Sequence, residues 1–243
     1  MNKKIKKYVT ASPYLDMEIP ILDDISLPKS GRLFVNFLKE LNFKNKKVLD
    51  VGTGYYGYLA QHAKKFGANY VLAVDINTRA IKKARTLNKS GNIHFSVSDV
   101  YSKILKRGKF NIVLSNPPQL PSRNNNRIHD FGGYYGLDVI KKIIDGFKFV
   151  STKNGVLCLL VFDYLLTSIK ILCKENALSC DIIGHYNKNV RKGGETEKKI
   201  KFIEKIYTKY KFKKNNGSYA HKVYILKIKK YENNNKSSCC NLK

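Results

Sequence analysis

Lys47–Gly57, KVLDVGTGYYG, is the stretch on which the fold turns. Lys47 to Val51 reads as a short apolar strand with a carboxylate, Asp50, near its end. Gly52, Gly54 and Gly57 follow at once, and a helical pattern runs from Tyr58 to Phe66. A residue without a Cβ lets the chain turn tightly and lets a ligand approach the backbone. The helix start behind it supplies N–H groups that have no partner within the helix. Strand, glycine turn and helix in succession predict the first unit of a βαβ array.

The same alternation extends outward. Apolar Tyr70–Val74 predicts a second strand ending in Asp75. Thr78 is a plausible N-cap for a helix to Ser90, with Ala80, Ile81, Ala84 and Leu87 on one face. Ile93–Val97 predicts a third strand, ending near Asp99, and Phe110–Leu114 a fourth. Further on, Gly136–Phe147 reads as helix, Gly155–Phe162 as a strand apolar on both faces, and Leu165–Asn176 as helix. Strands near Cys180–His185 and at Val223–Ile228 complete the set. The expected fold is α/β: a doubly wound, mostly parallel seven-stranded sheet with its last strand antiparallel. The expected organisation is an irregular N-terminal arm over 1–27, one domain over 28–230 that opens on a helix after Pro28, and a polar, disordered tail over 231–243. Within that domain 188–214 forms a basic insertion with a helix at Glu197–Tyr207.

Composition sets bounds. The 243 residues are 43% hydrophobic, enough for a sizeable core. No apolar run reaches the length of a membrane span, and MNKKIKKYVT has neither the apolar centre nor the cleavage site of a secretory signal. Five scattered cysteines, Cys158, Cys173, Cys180, Cys239 and Cys240, suit neither a disulfide framework nor a zinc site, and the five histidines show no ligand spacing. A reducing cytoplasm and a monomer without metal or membrane contact are expected. The net charge of +28 favours phosphate polymers as partners, although an AT-rich genome writes Lys and Asn on any surface.

The fourth strand runs into Ser115-Asn116-Pro117-Pro118-Gln119. Consecutive prolines cannot continue a central strand, and Pro118 holds Pro117 extended. A stiff loop therefore presents the Asn116 side chain and nearby carbonyls at a strand end. In a doubly wound sheet the ligand lies outside the carboxyl ends of the strands, at the switch point. Asp50, Asp75, Asp99 and Asn116 stand at four such ends and form one polar rim. Gly52-x-Gly54-x-x-Gly57 also satisfies the dinucleotide fingerprint. A carboxylate two residues before the first glycine would repel a pyrophosphate, however, and suits a cationic or amine-bearing ligand.

Asp50-x-Gly52-x-Gly54, Asp75, Asp99 and Asn116-Pro117-Pro118, each after its own strand, together resemble the motif series of class I S-adenosylmethionine-dependent methyltransferases, over about residues 28–185. The resemblance implies S-adenosylmethionine as cofactor. Asp50, Gly52, Thr53 and Gly54 would then lie at its methionine portion. Asp75 would accept from the ribose hydroxyls, Ile76 would pack on adenine, and Asp99 and the Val100 N–H would meet its ring edge. Asn116-Pro117-Pro118 resembles the branch that methylates planar nitrogens, whose lone pair is tied up by conjugation. The Asn116 side-chain oxygen and the Pro117 carbonyl would accept the two N–H groups, hold the nitrogen in line with the methyl–sulfur bond and stabilise the charge that develops. Pro118 and Gln119 would border the acceptor. That branch has an aromatic residue where Gln119 stands, and Tyr134 or Tyr135 could replace it.

Asp130–Ile140, a Gly-rich loop opening a helix with Gly136-Leu137, is similar to the HemK-like protein-glutamine N5-methyltransferases that modify release factors. Their N-terminal helical domain is expected to be absent or reduced here, since the first strand begins at Lys47. The favoured acceptor is a protein glutamine. Exocyclic amines of rRNA or tRNA, small molecules, and a basic RNA-binding module without catalysis are the alternatives. His129 and Asp130 could touch substrate, and Lys188, Arg191 and Lys192 beside Gly193-Gly194 could grip phosphates.

Overall fold

The structure is a computed structural model and describes residues 8–12, 15–20, 29–88, 92–123, 131–215 and 217–231. Strands β1 (Tyr8–Ser12) and β2 (Leu15–Pro20) form a separate antiparallel hairpin. This differs from the irregular arm expected for 1–27. Tyr8, Val9, Thr10 and Ile19 favour extended pairing, and the prolines punctuate that pairing rather than prevent it. The expected tail lies outside the described residues beyond Tyr231, as do His129, Asp130, Cys239 and Cys240.

Then follow α1 (Lys29–Leu38), β3 (Lys47–Val51), α2 (Tyr58–Lys65), β4 (Tyr70–Asp75), α3 (Thr78–Leu87), β5 (His94–Val97) and β6 (Phe110–Ser115). After them come α4 (Asp138–Val150), β7 (Ser151–Phe162), α5 (Leu166–Glu175), β8 (Leu178–Asn189), α6 (Glu195–Ile206), β9 (Lys213–Asn215) and β10 (Ser218–Lys230). The main sheet runs β5-β4-β3-β6-β7-β10-β8. Strands β5 through β7 are parallel, and β10 is antiparallel to both β7 and β8. Short β9 pairs β10 and makes the sheet eight-stranded, one strand more than the sequence suggests.

Side chains alternate across the central strands, as pleating requires. Leu49, Val51, Leu72, Val74, Val113, Leu157 and Leu159 pack against Ile140, Ile143, Phe147, Ile169, Ile200 and Ile203 of α4, α5 and α6. Val48, Val71, Ala73, Ile112, Leu114, Cys158 and Leu160 face Phe34, Leu38, Leu59, Ala63, Ile81 and Ala84 of α1, α2 and α3. Burying a large aliphatic side chain stabilises by about 1.5–3 kcal/mol, so this two-sided core holds the strand ends in register. The chain leaves β3 toward β4 on one side and returns through β6 on the other. That reversal opens a crevice at the carboxyl ends of β3 and β6.

Candidate active site

Register brings the rim together. Val51 pairs with Val74 on one side and Ser115 on the other, and Asp75 pairs with Val97. The buried Ser115 hydroxyl donates to the Val51 carbonyl at 2.8 Å and ties the loop after β6 to the loop after β3. The four strand ends carrying Asp50, Asp75, Asp99 and Asn116 therefore lie side by side.

Asp50 is fully buried. Its Oδ2 accepts from the Thr53 hydroxyl at 2.6 Å and from the Ala60 N–H in the first turn of α2 at 3.1 Å. Its Oδ1 is buried with no hydrogen-bond partner. Burial pushes the carboxyl up to about 7, the two hydrogen bonds pull it back, and Asp75 adds a smaller upward push. An orphaned buried carboxylate oxygen is expensive unless a ligand satisfies it.

Gly52 and Gly54 have φ of 75° and 66°, a region costly for any residue with a Cβ, and a Cβ on either would meet nothing within 4 Å. The loop thus has a bare, open face. Its N–H groups are committed within the chain. Those of Gly52 and Thr53 donate to the Val74 carbonyl at 2.8 and 3.0 Å, and that of Gly54 donates to Asp75 Oδ2 at 2.9 Å. What the loop offers a ligand is its carbonyls and its lack of side chains. Asp75 Oδ1 also accepts from the Asn77 N–H at 2.8 Å. Asn77 caps α3 and donates to the Tyr55 hydroxyl. With both oxygens anchored the carboxylate is fixed in direction. Ile76 beside it is 57% exposed, an apolar surface that the core leaves open.

Asp99 and Val100 close the far side. Val100 has φ of 48°, strained for a β-branched residue. The strain is held by Ser98, whose hydroxyl donates to the Val100 carbonyl and accepts from the Lys103 N–H. The Asp99 carboxylate pairs with Lys142 of α4 at 2.7 Å and is half-exposed, so a ligand would have to share it with that ammonium.

Asn116 is half-buried, and its side chain makes no hydrogen bond to another described residue. A Cβ on Gly31 of α1 would lie 3.8 Å from Asn116 Nδ2, so the start of α1 backs the amide closely. This contact spans the chain from α1 to β6 and leaves no pattern in the sequence.

Gln119 does not stand open to an acceptor. It is 3% exposed, and its amide reaches the end of β7. Nε2 donates to the Leu160 carbonyl at 3.1 Å and to the Pro117 carbonyl at 3.3 Å, and Oε1 accepts from the Phe162 N–H at 2.7 Å. The Tyr164 hydroxyl donates to the Gln119 carbonyl. In place of a stacking aromatic, the position carries a brace that orients the Pro117 carbonyl and leaves it one lone pair. Pro118 lies half-buried between them.

The Gly-rich loop seals this brace. The Gly132 N–H donates to the Leu120 carbonyl and the Ser122 N–H to the Gly133 carbonyl. A Cβ on Gly136 would strike the Gln119 carbonyl oxygen at 2.4 Å. Tyr134 and Tyr135 project from this loop, 44% and 54% exposed. Lys188 lies over the Phe162 ring, while Arg191 and Lys192 are exposed.

A cationic, amine-bearing ligand fits these residues: a bare glycine turn, a fixed carboxylate at the next strand, and a buried carboxylate oxygen awaiting a donor. Beside them stands a hydrogen-bonding amide on a rigid loop.

Comparison with known proteins points the same way. The family model described as methyltransferase small domain matches residues 26–158. A putative protein N5-glutamine methyltransferase of Methanocaldococcus jannaschii is 33% identical over 132 residues, covering 51% of this chain and 66% of that protein. A ribosomal protein L11 methyltransferase of Thermotoga neapolitana is 40% identical over 92 residues, covering 37% of this chain and 34% of that one. The match thus spans less than two thirds of either relative. Among solved structures, the E. cuniculi Mtq2–Trm112 complex, responsible for methylation of the eRF1 translation termination factor, superposes with a TM-score of 0.58. It is 21% identical, and the match covers 86% of this chain and 100% of that one, which shows a common fold.

Proposed function

Since the chain belongs to the methyltransferase small domain family, we propose that it transfers a methyl group from S-adenosylmethionine to a planar nitrogen, the side-chain amide of a glutamine in a protein of the translation machinery. One observation carries this reading. The orphaned, buried Asp50 Oδ1 and the bare Gly52–Gly54 turn lie one strand away from the free Asn116 amide.

When bound, S-adenosylmethionine supplies an electrophilic methyl carbon on a cationic sulfur. Asp50 would receive its ammonium end, directly or through water. Asp75 would accept from the ribose hydroxyls, Ile76 would cover one face of the adenine, and the Asp99–Val100 turn would meet the ring edge. Asn116 Oδ1 and the Pro117 carbonyl accept the two N–H groups of the acceptor amide. That grip aims the nitrogen lone pair at the methyl carbon and favours the positive charge that grows there. The Gln119 hydrogen bond holds the Pro117 carbonyl in position. The cofactor would supply the methyl carbon and keep the C–S electron pair, while Asn116 and the Pro117 carbonyl would hold the nitrogen as it gives up a proton to solvent.

A relative named for N5-glutamine methylation supports glutamine as acceptor, and the Asn116 site suits any conjugated N–H₂ group. The basic insertion favours an RNA amine as the second reading. The sequence alone suggests a monomer, but a similar fold is solved as the Mtq2–Trm112 complex, and we carry a partner subunit as the better reading. No helix among the described residues is long and apolar enough to cross a membrane.

The test is a lysate from cells lacking the gene, incubated with tritiated cofactor and the purified protein. Label is expected in protein and traceable to a glutamine side chain, and label confined to RNA or small solutes would refute the proposed acceptor. Asn116→Ala should keep cofactor affinity in calorimetry yet lower turnover by about 100-fold or more, the loss seen when one transition-state hydrogen-bonding group is removed. Undiminished activity in that variant would refute the assigned chemistry.

A further inference from the structure

The connection from 188 to 214 carries eleven Lys and Arg against three Glu, a denser positive charge than the chain as a whole. All three glutamates are engaged inside the connection. Glu195 pairs with Lys198, Glu197 accepts from the Gly193 N–H, and Glu204 accepts from the Phe212 N–H and pairs with Lys211. Lys201, Lys205 and Lys209 follow one another at helical spacing, are exposed, and make no ion pair with another described residue. Ile200 and Ile203 are buried beneath them. Lys201 and Lys205 thus form a solvent face of α6, which Lys209 continues just past the helix end, with uncompensated charge.

A neighbouring face of the same segment, carrying Lys199, Phe202 and Tyr207, is docked onto the acceptor side of the cleft. The Tyr134 ring meets Phe202 edge-on at 5.3 Å and Tyr135 at 4.9 Å. The Arg123 guanidinium lies over the Phe202 ring at 5.2 Å. Lys199 donates to the Ser122 hydroxyl at 2.7 Å, and the Tyr207 hydroxyl to the Tyr135 carbonyl. The loop that carries Tyr134 and Tyr135 pairs with residues 120–122, directly after the Asn116–Gln119 loop. Two large aromatic rings therefore stand roughly half-exposed between a lysine stripe and the acceptor site. The core does not need them there. Aromatic faces beside a positive track are what single-stranded nucleic acid binds: bases stack and phosphates follow the charge.

We propose that α6 with Tyr134 and Tyr135 forms a binding surface for single-stranded RNA at the mouth of the acceptor cleft, so that the acceptor is met as part of a ribonucleoprotein. The proposal rests on the methyltransferase reading for its placement beside the acceptor, but the binding it asserts is measured without catalysis.

The experiment is fluorescence anisotropy with a labelled single-stranded RNA of about 12 nucleotides, within the span such surfaces cover, titrated with full-length protein over a range of salt. Lys201→Glu/Lys205→Glu/Lys209→Glu should weaken binding about 10-fold or more and flatten the log–log salt slope by about 2. Tyr134→Ala and Tyr135→Ala should each weaken it about 5-fold or more with the slope unchanged. The control Lys82→Glu/Lys106→Glu/Lys174→Glu makes the same charge change on α3, before β6 and on α5, away from α6 and the Tyr134–Tyr135 loop in the chain, and should leave affinity within about 2-fold. Equal losses in the two triple variants would overturn the proposal in favour of diffuse attraction. Displacement of the RNA by poly-glutamate at equal charge concentration would overturn it in favour of an acidic protein. Cofactor calorimetry on the same variants keeps the outcomes apart, because RNA binding with no cofactor binding sinks the enzymatic reading and leaves this surface standing.

Discussion

Asp50, proposed to meet the cofactor's ammonium, works against stability in the free protein. In the unfolded chain its carboxyl ionises near 3.8, and in the folded protein near 7. Between those values the native state holds a proton that the unfolded state has lost. Stability therefore falls as pH rises through this window and is level above it. The gap sets an upper bound on the order of 4 kcal/mol. A cationic ligand reverses the balance, since it favours the ionised carboxylate. Cofactor affinity should rise with pH up to about 7, and binding below that should release a proton. Asp50→Asn should raise the melting temperature of the free protein at pH 8 relative to wild type, have little effect near pH 4.5, and abolish the pH dependence of cofactor binding. Thermal melts across pH, with calorimetry in two buffers of different ionisation heat, check both. An Asp50→Asn protein melting below wild type at pH 8 would contradict the assignment. The rim itself was legible in the sequence, because each polar residue follows an apolar run that can only be a strand, and parallel strands bring their ends to one edge. The partners of each carboxylate were not legible. The Gly54 N–H on Asp75, Lys142 on Asp99 and Gly31 behind Asn116 are joined only by folding.

Most strands and helices could be placed from periodicity alone, and they shift by only a few residues: the helix expected at Glu197–Tyr207 is α6 at Glu195–Ile206. The exceptions are instructive. The β1–β2 hairpin lies where Pro13 and Pro20 mask a local extended preference, and three-residue β9 is too short to leave a pattern. Gln119 is the larger lesson. By motif it occupies an acceptor-binding position, yet its partners Leu160 and Phe162 belong to the next strand and Tyr164 to the turn beyond. A glutamine there can exchange hydrogen bonds with a strand end that an aromatic side chain could only pack against. The loop after β6 is consequently braced by β7 and pressed from the other side by Gly132 and Gly136. Gln119→Ala removes the brace and leaves the Phe162 N–H without its acceptor. The expected cost is about 2 kcal/mol, or about 4–8 °C in melting temperature for a domain of this size. Turnover should fall while cofactor affinity stays near wild type, because the proposed cofactor contacts lie at the ends of β3, β4 and β5. A variant that loses stability and cofactor affinity together, with turnover at saturation intact, would show that the brace serves the fold and not the acceptor grip.

At the scale of the whole molecule the dominant quantity is a net charge of +28. Two effects of salt oppose each other. Screening weakens favourable ion pairs, and it also weakens the mutual repulsion of like charges brought together by folding. Lysine–carboxylate pairs among the described residues include Lys141–Asp145, Lys142–Asp99, Lys198–Glu195 and Lys211–Glu204, each with a largely exposed lysine. Such pairs contribute about 0–1 kcal/mol apiece. Repulsion among an excess of 28 positive charges grows with every pair of them and acts on the compact state far more than on the expanded one. Repulsion should therefore win. Raising ionic strength from about 20 mM to about 300 mM shortens the Debye length from about 20 Å to about 6 Å and should raise the melting temperature by several degrees. Sodium chloride suits the measurement, since sulfate would add a stabilisation of its own through exclusion from the surface. The experiment also separates the two origins of the charge. If lysine is spread evenly by composition, the salt response should survive Lys201→Glu/Lys205→Glu/Lys209→Glu almost unchanged. If the charge is concentrated on α6, that substitution should remove a disproportionate share of it and raise the low-salt melting temperature more than the matched control on Lys82, Lys106 and Lys174. A melting temperature that falls with salt would mean that paired charges dominate, and the excess on this surface could no longer be treated as free to meet a polyanion.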